Sequence, residues 1–210
     1  MQATTISVSE AVARARRLAA DGRRRLLGIT GPPGCGKSTL AQVVADELSG
    51  DAQLVGMDGF HLAQAELVRL GRQDRKGALD TFDGAGYVAL LQRLRDATDD
   101  VVYAPEFRRE IEEPFAGAIA IPREIPLVVT EGNYLLVDEG DWACVRPLLD
   151  ESWYVDMDEE TRLKWLIQRH IEFGKTPDAA RAWVMRSDQA NAAVTAATRE
   201  RADVIVRLAT

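Results

Sequence analysis

Cysteine and long hydrophobic runs are scarce in this 210-residue chain. Its two cysteines, Cys35 and Cys144, cannot build a disulfide framework, and free thiols are typical of a reducing compartment. No run approaches the roughly 20 apolar residues that a membrane-spanning helix needs. The first 20 residues carry frequent charges and lack the apolar core of a signal peptide. We therefore expect a cytoplasmic protein that does not contact membranes.

An excess of basic residues is also missing. The 26 Lys and Arg residues face 33 Asp and Glu residues, giving a net charge of −7, which argues against a nucleic-acid partner. The 46% hydrophobic and 28% charged residues are typical of a globular protein. Since a domain averages about 150 residues, we expect one domain over residues 1–210.

Strand and helix patterns alternate along the chain. Ser7 and Glu10 have the spacing of a capping box, which predicts the start of a first helix. Short apolar runs predict strands at residues 26–30, 53–57, 127–130, 153–156 and 204–208. Residues 101–103 and 116–121 are weaker strand candidates. Helical periodicity predicts helices at residues 37–48, 87–97, 159–173 and 177–193. This alternation implies an α/β fold: a three-layer sandwich with a central parallel sheet and helices on both faces.

A glycine-rich segment follows the first of these strands. Residues 31–38 match G-x-x-x-x-G-K-S, whose backbone amides cradle phosphates ahead of a helix. Lys37 would reach the β- and γ-phosphates, and the Ser38 hydroxyl would hold Mg²⁺. The predicted nucleotide-binding residues of this segment are Gly31, Pro32, Pro33, Gly34, Cys35, Gly36, Lys37, Ser38 and Thr39.

Carboxylates follow two other strands, at the sheet edge where ligands bind. Asp58 is placed to accept a proton from an attacking hydroxyl, although aspartate before glycine is also common in turns. Glu131 ends an apolar strand, which favours a role in holding Mg²⁺. His61 is a candidate for contact with substrate. Arg162 and Arg169 lie on nearly one helix face and are candidate lid arginines that close on the phosphates.

Two further groups of residues leave alternatives open. The polar cluster at residues 186–191 either lines the pocket or only interrupts a helix. Most of the tryptophans are expected in the core, and an exposed one would mark a homodimer face; they are Trp142, Trp153, Trp165 and Trp183.

Taken together, these motifs resemble the P-loop kinases of the uridine kinase, phosphoribulokinase and bacterial pantothenate kinase group. The resemblance is carried by the 31–38 loop, residues 57–61 (MDGFH), 81–83 (TFD), 131–134 (EGNY) and 169–170 (RH). It extends from about residue 8 to 208. Within the group, the chain is most similar to the branch described as fructose transport system kinases or nucleoside/nucleotide kinase-like proteins.

The resemblance implies an ATP- and Mg²⁺-dependent kinase that phosphorylates a hydroxyl of a small metabolite such as fructose. It implies a substrate-side insert at about 59–122 and a lid at about 162–178. Lys37, Asp58 and Arg169 would be catalytic, Ser38 and Glu131 would hold the metal, and Arg162 would contact the nucleotide. The substrate-binding residues would be Asp58, Phe60, His61, Phe82, Asp83, Arg109, Asn133 and Tyr134.

The acceptor stays open at this point. Asp83, Asn133 and Asp188 would suit either a sugar or a ribose, and several aromatic side chains could stack on a nucleobase. Where the resemblance implies an acid, the chain has Arg108, which either removes an acceptor contact or favours a negatively charged acceptor. Two other classes remain as alternatives: a nucleotide-dependent switch ATPase and an inactive binding module. A switch GTPase is disfavoured because the chain has no Asn-Lys-x-Asp motif.

Overall fold

A six-stranded parallel sheet forms the centre of the computed structural model, which describes residues 4–20 and 22–208. Its strands, in the spatial order β1-β8-β7-β2-β6-β3, are β1 (Thr4–Ile6), β8 (Val204–Arg207), β7 (Glu151–Asp156), β2 (Arg25–Thr30), β6 (Leu127–Glu131) and β3 (Ala52–Gly56). All five pairings are parallel, which confirms the predicted α/β class. The periodicity missed the edge strand β1, which has only three residues.

Helices cover both faces of this sheet. They are α1 (Val8–Ala19), α2 (Lys37–Glu47), α3 (Gln64–Arg69), α4 (Gly84–Asp96), α5 (Glu159–Glu172), α6 (Pro177–Trp183) and α7 (Gln189–Ala196). The predicted capping box of Ser7 and Glu10 is present at the start of α1. No helix in the described part of the chain is both long and apolar enough to span a membrane.

Successive side chains of each strand point to opposite faces of the sheet, so a hydrophobic core forms on each face. Leu27 and Ile29 of β2 pack toward α1 and α2, whereas Leu26 and Val128 pack toward α4. The core on the α4 face continues into a cluster of aromatic rings whose centroids are 5.2 to 6.0 Å apart. The cluster consists of Phe60, Phe82, Tyr87, Tyr134 and Trp142. Sheet, flanking helices and two cores thus form the three expected layers.

The segment predicted as a substrate-side insert contains α3, α4 and an antiparallel hairpin. The hairpin strands are β4 (Val101–Arg108) and β5 (Glu113–Pro122), so both weak strand candidates are longer than predicted. The two hairpin strands pair only with each other, in antiparallel orientation, and so form a second sheet beside the central one. The segment predicted as a lid contains most of α5 and the turn before α6.

Two helix boundaries differ from the prediction. α4 begins at Gly84 instead of 87, because the Asp83 carboxylate accepts a hydrogen bond from the Gly86 amide at 2.8 Å and caps the helix. The predicted helix 177–193 is interrupted by a π-helical turn at Val184–Asp188. This turn places the Asp188 side chain in the cleft described below, and π-turns inside helices are common at functional sites.

Candidate active site

The phosphate-binding loop connects β2 to α2. Gly34 and Gly36 have φ values of 81° and 85°, a left-handed conformation that favours glycine. A Cβ atom at Gly34 would lie 3.2 Å from the Arg162 carbonyl oxygen, so the loop and α5 approach too closely for a side chain. Lys37 is the first residue of α2, and no side chain caps this helix start. Backbone amides and the helix dipole therefore remain available to an anion.

Strand register brings Glu131 between the two neighbouring strand ends. Glu131 pairs with Ile29 of β2 on one side and with Gly56 of β3 on the other. Its Oε1 accepts a hydrogen bond from the Ser38 Oγ at 3.1 Å. Burial raises the pKa of Glu131; Asp58 adds to this rise, and Lys37 opposes it. One buried carboxylate and one exposed hydroxyl thus meet beside the loop.

These two side chains fit a divalent cation that is bound mainly through other oxygens. Among the described residues, no group of three or more His, Cys, Asp or Glu side chains is arranged to hold a metal alone. Mg²⁺ commonly keeps several waters and binds through one or two carboxylates together with substrate phosphates. The hard oxygens of Ser38 and Glu131 match that requirement.

Asp58 lies in the turn that directly follows β3. Its Oδ2 is 3.3 Å from Nη2 of Arg109, which comes from the end of the hairpin, and 31% of its side chain is exposed. Burial alone would raise the pKa of Asp58, but the charges of His61, Arg109 and Lys37 outweigh it and hold that pKa below its usual value. Asp58 is therefore an ionised, accessible hydrogen-bond acceptor.

A cleft of about 350 Å³ opens next to Asp58 and runs from the phosphate loop to α6. Side chains from seven segments line it; those used below are Lys37, Ser38, Asp58, His61, Lys76, Phe82, Phe107, Arg109, Asn133, Arg169, His170, Lys175, Trp183 and Asp188. Arg169 reaches it from α5, and burial together with Arg109 lowers the pKa of its guanidinium. Five of the side chains that line the cleft are cationic Lys or Arg and three are acidic (Asp58, Glu112 and Asp188), in a chain whose net charge is −7.

The His61 ring forms one wall of the cleft. It lies 4.0 Å from the ring of Phe82 and 4.7 Å from that of Phe107, between centroids. Its Nδ1 is 2.8 Å from the backbone oxygen of Asp58, and burial lowers the pKa of the ring. A carbonyl oxygen can only accept, so Nδ1 carries the hydrogen that is donated to it.

Asn133 brings an unpaired acceptor to the same cleft. Its Oδ1 is buried and has no hydrogen-bond partner among the described residues. A buried acceptor without a partner costs about 1–3 kcal/mol, which a ligand that donates a hydrogen bond would recover.

Three predicted substrate-binding residues serve the packing of the insert instead. Phe60 packs edge-on against Tyr87 in the aromatic cluster. Asp83 caps α4, and Tyr134 is fully buried with its hydroxyl donating to the Gly77 carbonyl at 2.7 Å. The expectation that these three side chains line the acceptor cleft is therefore corrected.

Two arginines also differ from the expectation. Arg162 is only 5% exposed; its Nη1 donates to the Pro33 carbonyl at 3.0 Å, and Nη2 contacts Gln189. Arg162 therefore binds the backbone of the phosphate loop from a buried position and is not a free lid arginine. Arg108 lies over the Phe115 ring at 4.3 Å on the hairpin and is half exposed, away from the cleft.

The sequence reasoning missed three cleft residues. His170 Nε2 lies 2.8 Å from Asp188 Oδ2, and Lys76 and Lys175 line the same cleft. No local signal marked the two lysines, because they lie in irregular segments where charge is ordinary. Asp188 belongs to the polar cluster at 186–191 that was a candidate for the pocket.

Comparison with known proteins agrees with this geometry. The sequence profile of the phosphoribulokinase/uridine kinase family matches residues 26–210. An ATP-dependent kinase-like protein of Aspergillus versicolor is 38% identical, over 60% of this chain and 77% of its own. A “putative uridine kinase” of Schizosaccharomyces pombe is 31% identical, over 80% of this chain and 75% of its own.

A solved structure extends the match over the whole fold. The “putative fructose transport system kinase” of Silicibacter sp. TM1040 superposes with a TM-score of 0.86 and 33% identity, over 97% of this chain and 100% of its own. A phosphate loop whose lysine and serine lie beside a carboxylate at a strand end is the recurring arrangement for phosphoryl transfer on such loops. The chain therefore belongs to the phosphoribulokinase/uridine kinase family and is an ATP-dependent small-molecule kinase.

Proposed function

We propose that this kinase uses ATP with Mg²⁺ and phosphorylates a hydroxyl group of a small metabolite bound in the cleft beside Asp58. One observation carries the proposal. The Ser38–Glu131 hydrogen bond and the Asp58 carboxylate occupy adjacent strand ends, with the phosphate loop on one side and the cleft on the other. A phosphoryl group on the loop would then face an acceptor hydroxyl in the cleft.

Each side chain has a role that follows from its position. Lys37 would bind the β- and γ-phosphates from the start of α2. Ser38 and Glu131 would hold Mg²⁺, which when bound neutralises phosphate charge. Asp58 would orient the acceptor hydroxyl and accept its proton, and its lowered pKa keeps it ionised. Arg169 would stabilise charge on the transferred group.

Orientation matters more here than base strength. The transition state of phosphoryl transfer is loose, so catalysis depends mainly on positioning and electrostatics. Arg109 lies 3.3 Å from Asp58 and fixes the carboxylate from the hairpin side. Asn133, with its unpaired Oδ1, would accept a hydrogen bond from a second hydroxyl of the acceptor.

A sugar such as fructose is the first acceptor to test, and uridine, cytidine and pantothenate are the alternatives. Phe82, Phe107 and Trp183 would let a sugar ring or a base pack on an aromatic face. A second observation favours an acceptor that carries a negative group, as pantothenate does: Lys76 and Lys175 also line the cleft, whose cationic side chains outnumber the acidic ones. A cytoplasmic location and a homodimer remain predictions from the sequence.

Coupled ATP turnover tests the proposal. The panel contains fructose, uridine, cytidine and pantothenate, with the neutral alcohol analogue of pantothenate as a matched pair for charge. We expect one acceptor to stimulate turnover strongly and Asp58→Asn to reduce it by about 10²–10⁴-fold. Asp80→Asn is the matched control, because Asp80 pairs with Arg75 outside the cleft.

Two outcomes would contradict the proposal. ATP hydrolysis that no acceptor stimulates would favour a switch ATPase. Nucleotide binding without any turnover would favour an inactive binding module.

A further inference from the structure

Trp165 is an exposed aromatic side chain on the helix that packs against the phosphate loop. It is 51% exposed, whereas Trp142 and Trp153 are almost fully buried. A single exposed apolar residue needs no explanation. Its surroundings, however, are specific.

Trp165 lines a recess of about 160 Å³ on the start of α2. Lys37, Ser38 and Thr39 line the same recess, together with Arg169. Asp58 and the other side chains of the acceptor pocket, apart from Lys37, Ser38 and Arg169, lie outside it. The recess therefore shares Lys37, Ser38 and Arg169 with the acceptor cleft and extends from them to Thr39 and Trp165.

The helix presents two different groups toward this recess. Trp165 and Arg169 are four residues apart and lie on one face of α5. Arg169 reaches both the recess and the acceptor cleft, whereas Trp165 reaches only the recess. The indole thus lies farther from the acceptor than the guanidinium does.

Close packing fixes the indole relative to the loop. The Arg162 guanidinium donates to the Pro33 carbonyl at 3.0 Å. A Cβ atom at Gly34 would lie 3.1 Å from the Cβ of Leu166, the neighbour of Trp165. Contacts of Arg162 and Leu166 therefore join α5 to the loop, and the helix that carries Trp165 is fixed beside the phosphate site.

The direction of a bound nucleotide follows from the loop. Its amides and the start of α2 hold the α- and β-phosphates, while the γ-phosphoryl group points toward the acceptor. The nucleoside must then extend from the α-phosphate, away from the γ-phosphoryl group. Trp165 is the aromatic side chain of the recess that the loop residues line, and an aromatic ring binds any base through its π-face.

We propose that Trp165 stacks on the nucleoside of the phosphoryl donor and supplies much of the nucleoside's binding energy. This inference rests on the proposed function, since it extends the same donor site from the phosphates to the nucleoside.

Calorimetric titration of the whole chain with two probes separates base contact from phosphate contact. Magnesium ADP carries the nucleoside, and magnesium pyrophosphate lacks it. We expect Trp165→Ala to weaken ADP binding by about tenfold or more and to leave pyrophosphate binding within twofold of wild type. Trp165→Phe keeps an aromatic face and should stay within about threefold for both probes.

Tyr103→Ala is the matched control, because Tyr103 is a 60% exposed aromatic residue on the hairpin. It should bind both probes as wild type does. Equal losses of ADP and pyrophosphate affinity in Trp165→Ala would overturn the inference, because they would show a structural role for the loop. Unchanged ADP affinity would also overturn it, most clearly if the variant converts a dimer into a monomer.

Different results would contradict the proposed function and the role of Trp165. A wild-type chain that binds neither probe would remove the donor site and with it the proposed function. A wild-type chain that binds both, with no selective effect in Trp165→Ala, would remove only the role of Trp165.

Discussion

The donor region and the acceptor region of the active site are built in different ways. The donor region, residues 31–39 with Glu131 and α5, joins one short loop to buried strand ends. The acceptor region, residues 57–115 with 170–191, combines three helices (α3, α4 and α6), most of the hairpin and a π-helical turn from two distant stretches of the chain. In the first, local sequence determines which side chains face the ligand. In the second, packing between distant segments decides it.

The two arginines of α5 allow the sharpest test of this contrast. Both belong to one helix, yet Arg169 faces the ligand cavities and Arg162 is buried behind the loop. Arg169→Met should reduce kcat by about 10³-fold or more, because charge on the transferred phosphoryl group loses its cation. Steady-state kinetics with saturating ATP and acceptor measure this.

Arg181→Met serves as the control for that variant, since Arg181 is exposed on α6. It should keep wild-type kcat. A loss of less than tenfold in Arg169→Met would mean that this arginine does not contact the transferred group.

Arg162→Met should act on stability first. The substitution removes the charged hydrogen bonds to Pro33 and Gln189 from a buried position. We expect the free energy of unfolding to fall by about 2–3 kcal/mol in urea titrations. The KM for ATP should rise as well, because α5 is then no longer fixed to the loop.

A different pattern would reverse the assignment of Arg162. Unchanged stability together with a loss of kcat as large as in Arg169→Met would show that Arg162 contacts the phosphates. Arg162 would then be a lid arginine, as helix periodicity predicts, and its side chain would not stay buried behind the loop.

The donor region was largely predictable from the sequence. The 31–38 pattern fixes a backbone shape, and the strand that ends in Glu131 directs a carboxylate to the sheet edge whatever surrounds it. The same reasoning failed for Tyr134. Its motif gave the right position in the chain, but the aromatic cluster buries its ring and Gly77 takes its hydroxyl.

The acceptor region could not be read in this way. Lys76 and Lys175 lie in irregular segments with no periodicity, and only folding brings both to the cleft. Arg108 suggested a change in the acceptor, but its side chain packs on Phe115 outside the cleft. Whether a loop side chain faces the ligand or its own segment is decided by contacts between distant residues.

Asp83 tests whether a side chain faces the ligand or its own segment, with a smaller expected effect than that of the arginines. As the cap of α4, its removal in Asp83→Ala should lower the free energy of unfolding by about 1 kcal/mol. Asp83→Asn should restore most of the stability, because asparagine also caps helices well. Neither variant should change the acceptor KM by more than about twofold in assays at a temperature where both are folded. If Asp83→Asn keeps its stability but loses acceptor affinity, Asp83 binds the acceptor after all.

The smallest effect concerns pH. Burial holds the pKa of His61 below its ordinary value of 6.5, with the charge of Asp58 opposing this only in part. The unfolded chain therefore binds the proton more readily than the folded one. This contribution to stability is complete above about pH 6.5 and is lost as the pH falls through the lowered pKa of the folded state. Because His61 lies in the acceptor region, we expect this pH dependence of stability to arise in that region.

Urea unfolding at several values between pH 7.5 and 5 measures this slope for the wild type and for His61→Gln. The glutamine variant cannot titrate, so its stability should fall less steeply over that range, whatever its absolute value. His170→Gln is the matched control, since it removes the other histidine of the chain and leaves the His61 contribution intact. If the slopes of wild type and His61→Gln coincide, the His61 ring exchanges protons as freely as in the unfolded chain. The packing between Phe82 and Phe107 would then be too loose to exclude water, and the acceptor region would be less ordered than the donor region beside it.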